Sequence, residues 1–263
     1  MFPIHSLHDA RAYEDSILKG DAGLTASAMN NAGQAIGKEL LLDYRELGEL
    51  PADARILILG GKGLNTGDAF VACETIREAV ANLQVTLVLT ADEESLNPIA
   101  LEVLDRLKLS MGDRMESISV DTFLQRDDDS YEVVLDGLYG LGFRPPLREG
   151  IAKLLEQVNG MNSIRLRVSI DLPSGIGDAT DPDTFRADLT YIPCVAKHHV
   201  FKPENRDFVG RIRFLEIEPF LKQEHSNGAS ACLSSRNLHK SLNKFRQAQS
   251  DKRSYGHCLI IAG

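Results

Sequence analysis

Ile56-Leu57-Ile58-Leu59-Gly60-Gly61-Lys62-Gly63-Leu64-Asn65-Thr66-Gly67-Asp68 decides the fold of this chain. Four consecutive aliphatic residues stopped by a glycine pair read as a strand buried on both faces, as in a parallel sheet. A glycine-rich loop follows, with Asp68 placed to cap a helix running from Ala69 to Leu83, whose Val71, Ala72, Ile76 and Val80 face inward. In an open parallel sheet such a loop lies at the carboxyl end of its strand, where ligands bind. Its glycines let backbone N–H groups approach an anion, and the helix N-terminus adds positive potential. The spacing of Gly61, Gly63 and Gly67 is not that of the dinucleotide fingerprint, and no Gly-Lys-Ser/Thr makes a P-loop.

The same alternation continues outward. Val85–Thr90, Glu116–Val120, Glu132–Asp136 and Arg167–Asp171 read as short strands, with helices over Asn97–Leu107 and Leu147–Val158 between them. Leu189–Ala196 and Arg211–Ile217 follow with no helix between, so one of them is expected antiparallel at an edge. Strands alternating with helices give an α/β fold, a Rossmann-like three-layer αβα sandwich with a mostly parallel central sheet. Upstream, Ser6 and Asp9 form a capping box that opens one helix, and Thr25 opens a longer one carrying Ala28, Met29, Ala32, Ala35, Ile36 and Leu40 on one face. Lying outside the sheet core, these two helices offer a surface for a homodimer. Past Phe220 the chain turns polar, and His257–Gly263 begins another apolar strand, so residues 1–222 are expected as one domain and 223–263 as a linker and the truncated start of a second.

The chain has 263 residues and a net charge of −9, which argues against a general nucleic-acid binder. No apolar run is long enough for a membrane span and no signal peptide opens the chain, so a cytoplasmic protein is expected. Cys73, Cys194, Cys232 and Cys258 are widely spaced and read as buried thiols rather than a disulfide framework or a zinc site. His198 and His199, adjacent on an extended chain, point to opposite faces and do not share a metal. Asp127-Asp128-Asp129 reads as a solvated loop.

Two further glycine-rich loops follow strands: Asp136–Pro146 and Asp171-Leu172-Pro173-Ser174-Gly175. Gathered on one sheet edge, the loops bring Asp68, Asp136 and Asp171 together, with Asn65 and Ser174 as neutral oxygen donors. Oxygen-only ligands suit a hard cation. Crowded carboxylates push their pKa values apart, which suits acid–base work. Lys197, after the next strand, is placed to face the same pocket or solvent.

Taken in order, Met29-Asn30-Asn31-Ala32-Gly33, Gly61 to Ala69, Asp136 to Phe143, Ser169 to Gly175 and Lys197 resemble the motifs of the NAD(P)H-hydrate epimerase family, the YjeF N-terminal domain. Leu64 stands for a family Asn, and Thr66 and Ala69 for family glycines. The segment from Arg246 to Gly263 is similar to the opening of the ribokinase-like NAD(P)H-hydrate dehydratase domain of bifunctional members, with departures in Asp251-Lys252-Arg253. The resemblance implies a metabolite-repair isomerase that interconverts the R and S forms of hydrated NADH and NADPH for an S-specific dehydratase. It implies one potassium ion held by Asn65, Asp136 and Ser174. It implies substrate contacts from Asn65, Thr66, Gly67, Asp68, Gly140, Leu141, Gly142, Phe143, Arg144, Pro145, Pro146 and Asp171. The substrate is a hemiaminal, and Asp171 is the expected acid–base residue, with Lys197 orienting it. The same fold also serves as a non-catalytic nucleotide-binding or scaffold module, including in messenger-RNA decapping factors, and that is the alternative reading.

Overall fold

In a computed structural model, the structure describes residues 2–126, 130–221 and 231–233. The expectations for Asp127-Asp128-Asp129, Cys258 and the strand at the chain end fall outside the described residues.

Seven parallel strands form the central sheet. They are β2 (Arg55–Gly60), β3 (Gln84–Leu89), β4 (Met115–Ser119), β5 (Val133–Gly137), β6 (Arg167–Ile170), β7 (Leu189–Pro193) and β9 (Arg211–Leu215), in the order β4-β3-β2-β5-β6-β7-β9. Beside them β1 (Phe2–His5), β8 (Ala196–Lys197) and β10 (Cys232–Leu233) make a small second sheet. The helices are α1 (Leu7–Leu18), α2 (Ala22–Tyr44), α3 (Leu64–Ala79), α4 (Pro98–Met111), α5 (Val120–Leu124), α6 (Glu149–Gly160) and α7 (Arg206–Val209).

The apolar run of β2 is fully buried and splits by parity. Ile56 and Ile58 join one core with residues of α2, α3 and α4, while Leu57 and Leu59 join the other with residues of α5 and α6. Two cores on opposite faces of one sheet are the three-layer sandwich the run implied. Strand order reverses between β2 and β5, and a crevice opens at the carboxyl ends of strands at such a switch point.

Three expectations are corrected. The last strand, β9, is a parallel edge strand, paired with β7 from Leu189↔Arg211 to Pro193↔Leu215. The turns and the short α7 between residues 194 and 210 carry the chain back across the sheet, where an antiparallel return needs only a hairpin. The helix after the glycine loop starts at Leu64, so Asn65, Thr66, Gly67 and Asp68 are its first turns and Gly63 is its cap. The N-terminal helices belong to the body: Ala28, Met29, Ala32, Ile36 and Leu40 of α2 are buried in the main core. A fourth correction concerns the thiols: Cys73 is buried as expected, but Cys194 is half-buried and Cys232, on the short β10 at the edge of the small sheet, is exposed. β10, beyond the expected boundary at residue 222, pairs antiparallel with β1.

Candidate active site

A cavity of about 730 Å³ opens at the switch point, bounded by the loops after β2 and β5, by Asp171 after β6, by Lys197 and by α1. Its size is typical of small-molecule sites. Close approach of the first two loops depends on Gly61, where a Cβ would lie 2.3 Å from the Leu138 carbonyl oxygen. Thr66, fully buried, staples them. Its hydroxyl accepts from the Gly61 N–H at 2.8 Å and donates to the Gly137 carbonyl oxygen at 2.9 Å. This binding of loop to side chain starts α3 early, with no side-chain cap needed.

Of the sequence-derived substrate set, Asn65, Asp68, Gly140, Leu141, Gly142 and Asp171 line the cavity. Thr66 and Gly67 lie beneath it, Thr66 holding the loop and Gly67 packed where a Cβ would meet the Met29 sulfur at 2.4 Å. Phe143 turns into the second core, with its ring 5.2 Å from that of Tyr139. Arg144 points to solvent within 4.0 Å of Asp178, and Pro145 and Pro146 follow it away from the cavity.

Below the floor, neutral donors surround a carboxylate. The Asp136 carboxylate, fully buried, accepts from the Ser174 hydroxyl at 2.6 Å, the Ser174 N–H at 2.8 Å and the Leu138 N–H at 3.3 Å. Burial pushes its pKa up to about 6, against the pull of these hydrogen bonds. The Ser174 oxygen accepts from the Tyr139 N–H, and the Asn65 amide donates to the Tyr139 and Ile170 carbonyls. Both Asn65 amide hydrogens are thereby used, leaving Oδ1 as an acceptor. Asn65, Asp136 and Ser174 thus offer oxygens only, and Asp136 brings a buried negative charge met by neutral donors. That donor set fits a hard monovalent cation. Among the described residues no three His, Cys, Asp or Glu side chains gather as a transition-metal site.

The wall of the cavity is charged. Asp171 leaves β6 with φ at 69°, in the left-handed region that Asp and Asn enter more readily than other residues with a Cβ. Its carboxylate pairs with the ammonium of Lys197, which is 1% exposed. Glu14 of α1 approaches the same ammonium at 3.6 Å. Burial works against the Lys197 charge, but Asp171 and then Glu14 outweigh it and hold its pKa above the usual lysine value. Burial raises the Glu14 carboxyl to about 7, with Lys197 opposing and Asp171 assisting. The Asp68 carboxyl is raised well above its ordinary value by burial, then by Asp171 and Glu14, with Lys197 opposing.

Glu14 escapes a motif-based reading because it lies on an N-terminal helix. Its signal is its place on the stripe of Leu7 and Ala10, both buried, at three- and four-residue steps. Parallel pairing of β1 with β8, which sets His5 opposite Lys197, fixes α1 against the site. Arg11 ties the same helix to the loop after β5, donating to the Leu141 carbonyl at 2.7 Å.

Residues 25–198 match the family described as YjeF-related protein N-terminus. The chain belongs to this family. Among YjeF-related relatives, it is 30% identical over 247 residues to a bifunctional NAD(P)H-hydrate repair enzyme of Pyrobaculum aerophilum, an alignment covering 89% of this chain and 44% of that one. It is 30% identical over 192 residues to the NAD(P)H-hydrate epimerase of Rhodopirellula baltica, covering 72% and 73%. This chain therefore spans less than half of the first relative and about three quarters of the second. The crystal structure of the yeast protein YNL200c shares the fold, with a TM-score of 0.60 at 17% identity over 73% of this chain and 81% of that one.

Proposed function

We propose that this chain is an NAD(P)H-hydrate epimerase, interconverting the R and S forms of hydrated NADH and NADPH, with a NAD(P)H-hydrate dehydratase as its functional partner. The observation that carries the reading is the buried Asp171–Lys197 pair opening on a cavity at the switch point of the sheet. The relatives' names agree with it. No helix among the described residues is long and apolar enough to cross a membrane, which fits the proposed cytoplasmic site.

The substrate carries a hydroxyl on the carbon beside the ring nitrogen. Protonation of that hydroxyl lets the nitrogen lone pair expel it as water, giving an iminium. Water adding on the opposite face, with loss of a proton, gives the other epimer. Asp171 is placed for proton transfer at the hydroxyl oxygen, and Lys197 holds its carboxylate in position. Asp68, on the same cavity wall, contacts substrate oxygen. Asn65 and the backbone at Gly140, Leu141 and Gly142 contact the rest of the substrate, and a Cβ at Gly140 would stand 3.0 Å from the Asp171 carboxylate. Potassium is the proposed ion, which Asn65, Asp136 and Ser174 would hold and which would supply positive charge to the site.

The test is the rate at which a single hydrated-NADH epimer converts to the mixture, with protein, in potassium and in N-methylglucamine buffers. Acceleration in potassium that falls at least tenfold in N-methylglucamine is expected. No acceleration in either buffer overturns the epimerase reading.

A further inference from the structure

Two carboxylates, not one, meet the buried ammonium at the cavity wall. Asp171 comes from the end of β6 and Glu14 from α1, and Lys197 Nζ contacts both. Both carboxylates line the cavity. Building two separate elements around one buried lysine is more than orienting Asp171 requires. Epimerisation, moreover, needs a proton delivered on one face of the ring and removed on the other. A single carboxylate serves one face and must cross the ring plane to serve the second.

Resting on the epimerase reading, we propose that Glu14 is the second acid–base group of the reaction, that Glu14 and Asp171 serve opposite faces of the substrate ring, and that the Lys197 ammonium holds the two in place between turnovers. In one direction Glu14, protonated, gives its proton to the hydroxyl. The carbon–oxygen bond breaks, its electron pair leaves with the oxygen as water, and the nitrogen lone pair forms the carbon–nitrogen double bond. Water then attacks from the face of Asp171, the double-bond pair returns to nitrogen, and the proton from the attacking water goes to the Asp171 carboxylate. Glu14 is left ionised and Asp171 protonated. Water in the cavity takes the proton from Asp171 and returns one to Glu14, while the Lys197 ammonium stays charged throughout, so the cycle balances. The reverse direction exchanges the two roles.

The environment of Glu14 supports this. A carboxyl with a pKa near neutrality is present in both forms at working pH, as a group that must donate and accept requires. The groups facing it are Lys197, Asp171, Asp15, Asp68 and Cys194. Asp68 is the rival proton donor. Among the described residues, however, Asp171 and Glu14 are the carboxylates paired with the Lys197 ammonium, so it positions these two and not Asp68.

The experiment follows oxygen as well as configuration. Each hydrated-NADH epimer is incubated with protein in ¹⁸O-water with potassium, and both label uptake and stereochemistry are read. Wild type is expected to label and interconvert both epimers. Glu14→Gln is expected to slow interconversion by ~10²–10⁴-fold while one epimer still takes up label with its configuration kept. Asp171→Asn is expected to spare the opposite epimer. Glu14→Asp, which keeps a carboxylate on a shorter arm, is expected to slow the reaction while labelling both epimers, and it reads the proposal even if Glu14→Gln folds poorly. Interconversion by Glu14→Gln within threefold of wild type overturns the proposal. Loss of label from both epimers alike in Glu14→Asp also overturns it, and so does a one-sided pattern in Asp68→Asn in place of Glu14→Gln. A wild-type protein that interconverts nothing overturns the epimerase reading itself, a distinct result.

Discussion

The floor and the wall of the cavity both bury carboxylates, and they treat them oppositely. On the floor, Asp136 is enclosed by a hydroxyl and two N–H groups from neighbouring loops, all neutral and all within one compact network. On the wall, Asp171 and Glu14 lean on a single ammonium, Asp171 from the end of β6 and Glu14 from the middle of α1. A carboxylate met by fixed neutral donors is held in one position, as an ion ligand needs. One that shares a single ammonium with a second carboxylate faces the cavity, where the proposed proton transfers occur.

The largest effect should come from the wall. Asp171→Asn keeps the volume and tolerates the left-handed backbone, but it cannot exchange a proton near neutral pH. Epimerisation should fall by ~10²–10⁴-fold with the melting temperature close to wild type. Near-normal turnover in the folded variant would erase the contrast with Asp136.

A floor substitution should do the reverse. Thr66→Val keeps the shape but leaves the Gly61 N–H and the Gly137 carbonyl without their buried partner. Denaturant unfolding should show a loss of about 1–3 kcal/mol, and turnover should change by less than the wall variant's. A Thr66→Val protein as stable as wild type would mean that water replaces the hydroxyl.

The smallest effect is a slope. A carboxyl whose pKa is higher folded than unfolded binds its proton more tightly in the native state. It therefore favours folding at low pH, and that advantage drains away as pH rises from about 4.5 to about 7 for Glu14. Glu14→Gln should flatten the melting temperature against pH across that window. An unchanged slope would place the Glu14 carboxyl in an ordinary solvated environment.

How far the sequence led follows the same division. β2 and the helix after it were legible because four buried aliphatic residues and a three- and four-residue period are statements about both faces of a sheet. The start of α3 was not, because the residue that fixes it, Thr66, acts through two loops that meet only in the fold. The parallel direction of β9 was hidden for a like reason: its crossover is built from short turns with no helical period. At the site, the glycine loops led to Asp171, Asp68 and Asn65. Glu14 remained invisible because one acid on an amphipathic helix looks solvated until a two-residue strand, β8, brings Lys197 to it.

The backbone at Asp171 carries a consequence for how this position can change over generations. With φ at 69°, it admits Gly, Asn and Asp at little cost and resists almost every other side chain. Of those three only Asp carries a proton. A single-base change to Asn would keep the volume and an oxygen toward Lys197, whereas one to Gly would leave that buried ammonium without its Asp partner and cost stability. Drift from the proposed enzyme to a silent scaffold would therefore run through Asn, and the return needs the one residue that satisfies backbone and chemistry together.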